Sequence, residues 1–467
     1  MIAVKAESGV LDRFRDMDVP PSLFARYDRP VPRYTSYPTA PHFTPDVDAA
    51  RYRCWLAALP EGETVSLYLH VPFCAEMCWY CGCHTKVAAR YAPIADYAAT
   101  LKREIALVAG IVGRRAPVGR IHWGGGTPTQ LAPEDFLGLM AVLRTYFDVR
   151  PQTEIAVEAD PRTLDDARIR ALAEAGVNRV SLGVQDLNDR VQKAINRIQP
   201  FRRVAAAVEG LRGAGIGALN MDLMYGLPYQ TEADVRRTVD LVASLRPDRL
   251  AVFGYAHVPW MKTHQKMIPE DALPGGLERL GQARAVAEAL AAHDYRSIGL
   301  DHFARPDDSL ARALDDGRLR RNFQGYTDDG AEILIGFGAS AIGQFPQGYV
   351  QNAVPFHAYD AAIAAGRLAA QRGVALAPKD RLRRAVIERL MCDMKADLAL
   401  LARAHGFPED AFAAECAALA PMVADGFVEV AGSVVRIPEA GRFFMRTIAA
   451  EFDSYLGTGE GRHSRAV

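Results

Sequence analysis

The chain has 467 residues, of which 49% are hydrophobic and 24% charged, and its formal net charge is −1. This length allows one large domain and a smaller one, and the composition is that of an ordinary globular enzyme. A net charge near zero provides no broad field for nucleic acid or an acidic membrane, so we expect neither partner. The sequence shows no secretory-type leader and no apolar run of about 18 residues, which predicts a cytoplasmic protein without membrane insertion.

The first 50 residues show little periodicity and include the stretch PVPRYTSYPTAPHF, which is rich in proline and tyrosine. Disordered segments are poor in aromatic residues, whereas Tyr34, Tyr37 and Phe43 favour burial. We therefore predict that residues 1–50 form an arm laid over the main domain.

Short apolar runs alternate with helix-like segments from about residue 64 onward. Strand–helix–strand order at this interval indicates parallel strands joined by right-handed crossovers. Six or seven such units predict an α/β fold with a partial or full (β/α) barrel over residues 51–370, and spacing alone leaves an open Rossmann sheet as the alternative. The runs cover 64–71, 119–126, 154–161, 179–186, 218–228, 249–258 and 295–304. One intervening helix is predicted from Ile94, Tyr97, Leu101, Ile105, Val108 and Val112.

Polar and glycine residues collect at the carboxyl ends of six of these runs. The segments are the cysteine-rich loop, GGGTPT, EADP, GVQD, MDLMYGLP and GYAHVP. In a barrel, the carboxyl ends of the parallel strands share one face, which is where active sites are built. The sequence therefore predicts a functional site on that face.

Residues 371–467 differ in character from the preceding region. Helical stretches lead to FVEVAGSVVRIPE, which predicts a hairpin turning at 431–433, and AGRFFMRTIAAEFDSYL predicts a further helix. This order indicates a small helical domain resembling a winged helix. Such domains often bind DNA, but the segment has no concentrated basic surface, so we expect a packing or lid role.

Four of the seven cysteines lie within ten positions, in the segment HVPFCAEMCWYCGCHT. Their spacing is C-x3-C-x2-C-x-C, at Cys74, Cys78, Cys81 and Cys83. A reducing compartment disfavours lasting disulfides, and structural zinc usually uses two cysteine pairs separated by a longer loop. The spacing favours an iron–sulfur site, with three thiolates on three irons of a cubane, over a zinc site. We expect the remaining cysteines to be buried small hydrophobic residues, at Cys54, Cys392 and Cys416.

The C-x3-C-x2-C spacing after the first predicted strand resembles that of the radical S-adenosylmethionine (SAM) superfamily. The stretch YLHVPFC from Tyr68 to Cys74, the additional Cys83, and the segments GGGTPT and SLGVQD resemble its oxygen-independent coproporphyrinogen III oxidase family. Other matching segments follow in the family's order over nearly the whole chain, namely PRYTSYPT, NMDLMYGLP, AHVP, DHFARPDD and RNFQGYT. One departure is His84, where the family commonly has Asn.

The resemblance implies oxygen-independent oxidative decarboxylation of two propionates of coproporphyrinogen III to vinyl groups, by a 5′-deoxyadenosyl radical mechanism. The product would be protoporphyrinogen IX, in haem biosynthesis. The resemblance also implies one 4Fe–4S cluster bound by Cys74, Cys78 and Cys81, with SAM chelating the fourth iron. Cys83 belongs to the family's signature without being a ligand, and we keep it as a site residue of unassigned role. An electron donor and an electron acceptor are also required, and a monomer is expected.

The family holds two SAM molecules at each site. The positions that match the cluster-bound molecule are Tyr68, Gly125, Glu158 and Ile342. The positions that match the second molecule are Tyr80, Gly126, Thr127, Gln185, Arg197, Asp222 and Ala256. Glycine permits close approach of a ligand, carboxylates accept hydrogen bonds from ribose hydroxyls, and arginine pairs with carboxylates. A substrate with four propionates calls for further cations, for which the candidates are Arg33, Arg305 and Arg321.

Three other functions compete with this interpretation. A haem-trafficking relative that retains the cluster generally lacks both the additional cysteine and the PRYTSYPT arm, which are present here. Another radical enzyme acting on tetrapyrroles, such as a haem-degrading methyltransferase, would give methylated or ring-opened products. A zinc-binding interaction module would give a colourless protein with stoichiometric zinc.

Overall fold

The computed structural model describes residues 20–457 and residue 465. Its strands are β1 (Val65–Val71), β2 (Phe73–Cys74), β3 (Lys86–Val87), β4 (Pro117–Gly125), β5 (Asp148–Ala159), β6 (Arg179–Gln185), β7 (Ala218–Tyr225), β8 (Arg249–Gly254), β9 (Arg296–Ile298), β10 (His302–Ala304), β11 (Arg320–Asn322), β12 (Gly325–Thr327), β13 (Ile333–Phe337), β14 (Ile342–Phe345), β15 (Gly348–Asn352), β16 (Ala370–Ala375), β17 (Lys395–Asp397), β18 (Glu429–Ala431) and β19 (Val434–Arg436). Its α-helices are α1 (Pro21–Tyr27), α2 (Ala49–Ala57), α3 (Ala92–Val112), α4 (Pro133–Tyr146), α5 (Asp166–Glu174), α6 (Asp189–Ala194), α7 (Phe201–Gly213), α8 (Glu232–Ser244), α9 (Gly276–Ala292), α10 (Ser309–Asp315), α11 (Phe356–Ala364), α12 (Pro378–Asp393), α13 (Leu398–Ala404), α14 (Ala413–Ala418), α15 (Ala420–Ala424) and α16 (Met445–Ala450). Within these ranges, every helix falls short of the length or the apolar character that a bilayer crossing requires.

A twelve-stranded sheet forms the main body, in the order β16-β15-β14-β13-β1-β4-β5-β6-β7-β8-β10-β9. The strands from β13 through β1 and on to β4–β8 pair in parallel. Strands β4–β8 follow one another in chain order, which is the arrangement of a (β/α) barrel, whereas a Rossmann sheet reverses its order at a switch point. In the described part of the chain, the edge strands β9 and β16 do not pair with each other. The predicted α/β fold is confirmed, and the sheet is that of a partial barrel.

The last apolar run, 295–304, was expected to add another unit to the parallel series, and this expectation is wrong. Strands β9 and β10 form an antiparallel pair, and β10 is also antiparallel to β8. The three residues 299–301 between them are too few for a parallel crossover, which needs about a dozen residues or more. The opposite side of the parallel region instead contains β13, a buried strand that pairs with β1.

Helix α3 shows how the helices attach to the sheet. All six apolar residues predicted to form its inner face are buried, and Leu101, Ile105 and Val108 have no exposed surface. Each such side chain contributes about 1.5–3 kcal/mol to folding. A proline in the first turn and Gly113 at a left-handed φ of 71° define its ends.

The C-terminal unit is built from α12–α16 and a small antiparallel sheet in the order β17-β19-β18. The predicted hairpin is present between β18 and β19, with Gly432 at a positive φ in its turn. The predicted final helix is a 3₁₀ segment, Glu439–Phe444, followed by the short α16. The boundary predicted at residue 371 is wrong, because it cuts β16, which pairs with β15 in the main sheet.

The N-terminal arm packs mainly against this C-terminal unit, although we expected it to lie over the main domain. Tyr27, Tyr34 and Tyr37 are buried in the same apolar core as residues of α12 and α16. The Tyr27 ring meets Phe427 edge to face at a centroid distance of 5.6 Å. Phe43 packs instead against Tyr349 of the main sheet. Residues 1–19 of the predicted arm lie outside the described residues.

The three cysteines outside the cluster differ in burial. Cys392 is 1% exposed, as predicted, and Cys416 is half-buried. The prediction is wrong for Cys54, which is exposed on α2. Helix α2 buries Trp55 and Leu56 instead, because only one face of a surface helix turns toward the core.

Candidate active site

A cavity of about 730 Å³, here called the cysteine cavity, lies at the carboxyl ends of the parallel strands. Its wall contains all fourteen residues that the sequence analysis assigned to the cluster and to SAM, and Cys83 as well. They lie on or after β1, β4, β5, β6, β7 and β8, and one residue begins β14. Cavities of this size hold small ligands and cofactors. The fold therefore brings together residues that are up to 274 positions apart, from Tyr68 to Ile342.

The cysteine loop, residues 74–83, is fixed by hydrogen bonds to its backbone. The Trp79 N–H donates to the carbonyl of Ile195 at 3.0 Å. Three side chains of the segment 262–265 reach carbonyls of the same loop: those of Lys262, His264 and Gln265, at 2.8, 2.7 and 3.0 Å. These contacts hold the loop over the cavity, and the sequence analysis did not predict them, because 262–265 carries no motif.

The four thiols of this loop form no disulfide. Burial raises the pKa of Cys74 to about 11, whereas a hydrogen bond from Cys83 lowers the pKa of Cys81 to about 6. The Cys78 sulfur lies 3.4 Å from a guanidinium nitrogen of Arg162 and 3.4 Å from one of Arg197. Because metal binding requires thiolates, these cations would stabilise the ligated form of the loop.

In the described ranges, no three His, Cys, Asp or Glu side chains converge as the ligands of one metal ion would. In a four-iron cubane, each thiolate binds a different iron, so the thiolates need not converge on one point and need only line the same cavity. Cys74, Cys78 and Cys81 do line one cavity. The donor chemistry therefore fits an iron–sulfur cluster.

The glycine loop, residues 124–127, makes backbone contacts with Phe73, which immediately precedes the cysteine loop. The Thr127 N–H donates to the carbonyl of Phe73 at 2.8 Å. A Cβ added to Gly126 would lie 2.7 Å from the Phe73 carbonyl oxygen, and one added to Gly125 would lie 2.7 Å from the His70 ring. Gly125 also has a φ of 115°, which only glycine adopts readily. This backbone is therefore exposed to the cavity without side chains, as close approach of a ligand requires.

Two carboxylates face the cavity from β5 and β7, the two strands that flank β6. Glu158 accepts a hydrogen bond from the Gly125 N–H at 3.3 Å and lies 3.1 Å from His122 Nε2. Asp222 accepts from the Ser181 hydroxyl at 3.1 Å, and burial together with the charge of Glu158 raises the pKa of Asp222 to about 7. Both carboxylates line the cavity and are placed where ribose hydroxyls could donate to them.

Arg197 is held by a carboxylate that the sequence analysis did not single out. Its Nη1 lies 3.1 Å from Asp160, and Asp160 also pairs with Arg162 at 2.7 Å. Although burial opposes ionisation, the two guanidinium groups lower the pKa of Asp160 below its usual value. Within the described residues, the buried Arg197 Nε has no hydrogen-bond partner. Asp160 and Arg162 occur in EADPR, directly after β5. Their place at the carboxyl end of a parallel strand could have identified them as site residues.

The remaining predicted residues differ in setting. Gln185 has a φ of 67°, a strained backbone for a non-glycine residue, at the end of β6. Arg33 and Arg321 line the cysteine cavity, as the prediction of substrate-binding cations requires. Arg305 does not, because it follows the antiparallel β10 and lies beside Asp248, at the amino end of β8. His84 donates to the Val354 carbonyl at 3.1 Å and so anchors the end of the cysteine loop.

Comparison with known proteins agrees with this geometry. The model of the Radical SAM superfamily matches residues 68–242, and that of the HemN C-terminal domain matches residues 376–444. An oxygen-independent coproporphyrinogen III oxidase of Bradyrhizobium diazoefficiens is 55% identical over 437 residues, which cover 94% of this chain and 97% of that protein. This chain belongs to the oxygen-independent coproporphyrinogen III oxidase family.

Other relatives of the oxidase family match over the same extent. The enzyme of Paracoccus denitrificans is 46% identical over 442 residues, covering 94% of this chain and 97% of that protein. The solved structure of coproporphyrinogen III oxidase (HemN) from Escherichia coli, a radical SAM enzyme, matches with a TM-score of 0.86 and 38% identity. It covers 91% of this chain and 98% of that chain. Membership of the radical SAM superfamily implies a 4Fe–4S cluster and SAM.

Replacing Gly126 by Ala tests the contact between the glycine loop and the cysteine loop. The added Cβ would meet the backbone of Phe73, so one loop must shift. We expect the free energy of unfolding of the cluster-free protein to fall by about 1–3 kcal/mol, measured with denaturant. Gly110→Ala is the matched control, because nothing lies within 4 Å of its added Cβ on α3, and it should gain about 0.5–1 kcal/mol. Unchanged stability of Gly126→Ala would show that the close contact is not required.

Proposed function

We propose that this chain catalyses the oxygen-independent oxidative decarboxylation of two propionates of coproporphyrinogen III, giving protoporphyrinogen IX in haem biosynthesis. The observation that carries the proposal is the single cavity that unites three thiols, a glycine loop and the carboxylates of Glu158 and Asp222. The most similar relatives described above bear the name of this activity over almost their whole length. A shared fold would be weak support by itself, and the proposal therefore also rests on the chemistry of the residues that line the cavity.

Cys74, Cys78 and Cys81 are the proposed ligands of the cluster, and the proposed cluster-bound SAM contacts are Tyr68, Gly125, Glu158 and Ile342. When bound, the cluster and SAM supply the one-electron chemistry that removes a hydrogen atom from a propionate. The chain's own residues position the reactants and exclude water. No side chain is required as a general acid or base for the hydrogen removal, and Cys83 lies beside Cys81 as a hydrogen-bond donor.

We infer that a second SAM molecule binds in the same cavity. Its proposed contacts are Tyr80, Gly126, Thr127, Gln185, Arg197, Asp222 and Ala256. Arg197 supports this proposal, because its Nε has no hydrogen-bond partner among the described residues. A guanidinium with an unused donor can bind a carboxylate. Asp222 lines the same cavity and can accept a hydrogen bond from a ribose hydroxyl.

We propose that residues 51–375 carry the cofactor chemistry, and that the arm and the C-terminal unit close one side of the site. We also propose a monomeric enzyme in the cytoplasm, where thiols remain reduced, as the cysteine loop requires. A separate donor must supply the electron that starts the reaction, and an acceptor must take the electron left after carbon dioxide is lost.

The reaction is tested by product analysis. The reconstituted enzyme is incubated without oxygen with coproporphyrinogen III, SAM and a reductant, and the tetrapyrrole is identified. We expect protoporphyrinogen IX and two molecules of carbon dioxide. Cys74→Ser should lose the brown iron absorbance and the activity together, whereas Cys54→Ser, at an exposed cysteine remote from the cavity, should retain both. A methylated or ring-opened product would contradict the proposal.

The second SAM molecule is tested by equilibrium dialysis of labelled SAM against reconstituted enzyme. We expect two molecules per chain in the wild type and one in Asp222→Ala, because Asp222 belongs to the second set of contacts only. Asp240→Ala, at an exposed carboxylate on α8, is the control and should retain two. A stoichiometry of one in the wild type would disprove the second site.

A further inference from the structure

A second cavity, of about 480 Å³, adjoins the cysteine cavity, and we call it the arginine cavity. It lies where the end of β8, helix α9, the N-terminal arm and the C-terminal unit meet. Arg33, Asp301, Arg321 and residues 253–256 line both cavities. A molecule larger than either space could therefore occupy both across this shared wall.

Three guanidinium groups converge on the arginine cavity from different elements. Arg33 comes from the arm, Arg279 from α9 and Arg321 from β11. The hydrogen bonds that they donate go to carbonyl groups: Arg33 to Gly254 at 3.2 Å, Arg279 to Tyr255 at 2.7 Å, and Arg321 to the Arg33 backbone at 3.3 Å. These bonds fix the guanidinium groups in place. They do not neutralise the positive charges.

Several donors of these arginines are unused. Arg279 Nε, Arg321 Nε and Arg321 Nη1 are buried and have no hydrogen-bond partner in the part of the chain that the structure describes. The Arg321 side chain is only 4% exposed. Buried polar groups are nearly always hydrogen-bonded, so unused donors on two neighbouring guanidinium groups indicate a missing acceptor.

The charges around these three arginines are unbalanced. Among the described residues, neither Arg33 nor Arg279 has a carboxylate within 4 Å, and Arg321 has only Asp301, at 3.8 Å. Burial opposes the charge of Asp301, but Arg321, His302 and Arg33 lower its pKa, so it remains ionised. Burial, with repulsion from Arg321 and Arg279, lowers the pKa of Arg33. One carboxylate thus faces three cations.

Other charged groups on the wall have partners of their own. Asp28 pairs with Arg465 at 3.1 Å, and Arg442 pairs with Glu439. Arg446 adds a further cation, and burial lowers its pKa to about 9. The excess positive charge of the cavity is therefore concentrated around Arg33, Arg279 and Arg321.

The rest of the wall is largely apolar and aromatic, with Phe253, Val286, Leu300 and Phe443 among its residues. A ligand that suits this surface has a flat apolar body and several carboxylates. The arginine fork matches a carboxylate with two parallel hydrogen bonds, which a lysine cannot provide.

We propose that the arginine cavity binds the tetrapyrrole carboxylates that are not reacting, with Arg279 as a principal ligand beside Arg33 and Arg321. This inference rests on the proposed function, which supplies a substrate with four propionates. While these carboxylates are held in the arginine cavity, another propionate extends across the shared wall into the cysteine cavity. Arg279 and the apolar wall would thus set the orientation of the substrate.

The experiment measures binding of coproporphyrin III, the stable oxidised form of the substrate, to the reconstituted enzyme by porphyrin fluorescence. We expect Arg279→Met to weaken binding by about tenfold or more, because a hydrogen-bonded charge pair is lost. Arg279→Lys keeps the charge and loses the fork of donors. Its affinity for coproporphyrin III should lie between those of the wild type and Arg279→Met. Binding of the tetramethyl ester, which has no carboxylate, should be the same in all three proteins.

Three controls separate binding from folding. Arg305→Met removes an exposed arginine outside both cavities and should bind coproporphyrin III like the wild type. Methionine in place of a buried, unbalanced cation should not lower the thermal unfolding midpoint of Arg279→Met. SAM binding by dialysis should also be unchanged in that variant, because Arg279 does not line the cysteine cavity.

The outcomes distinguish the inference from the reaction on which it rests. Equal coproporphyrin III affinity in Arg279→Met and wild type would overturn the inference while leaving the reaction intact. The expected loss of affinity without decarboxylated product in the wild type would overturn the proposed reaction only. If millimolar inorganic phosphate displaced coproporphyrin III completely, the cavity would be a general anion site, and the inference would also fail.

Discussion

The backbone contact between the glycine loop and the cysteine loop is the constraint on which the site depends. Strands β1 and β4 are parallel neighbours, so the loops that follow them emerge side by side. Gly126 then lies so close to Phe73 that no side chain fits between them. This contact places the thiols and the bare backbone of Gly125 and Gly126 in the wall of the same cavity, to which other strands add carboxylates and Arg197.

The two cavities differ in how their charges are balanced. In the cysteine cavity, Asp160 lies between Arg162 and Arg197 and offsets part of their charge beside Cys78. In the arginine cavity, Asp301 is the acid that faces the three converging guanidinium groups. Buried donors of Arg279 and Arg321 have no acceptor among the described residues, so this region gains stability when an anionic ligand binds. In the function and the inference proposed above, the first cavity holds the cofactors and the second holds substrate carboxylates.

Much of the barrel could be predicted from the sequence, because apolar runs and polar strand ends repeat along the chain. The individual SAM-contacting residues of the cysteine cavity came from the family resemblance. The errors have physical causes. A three-residue link reverses the chain before β10, which moves Arg305 to the opposite end of the strands. Arg279 lies inside a helix and belongs to no motif, so only the tertiary fold shows that it faces a cavity. The docking of the arm likewise depends on pairings between residues about 400 positions apart, such as Tyr27 with Phe427.

The central claim is that one cavity places the adenosyl group of SAM against a propionate of the substrate. The most direct measurement uses coproporphyrinogen III that carries deuterium on the propionate carbons attached to the rings. The reconstituted enzyme turns it over without oxygen, and the 5′-deoxyadenosine is analysed by mass spectrometry. The account predicts that this product carries one deuterium for each vinyl group formed. Vinyl formation accompanied by unlabelled 5′-deoxyadenosine would contradict it.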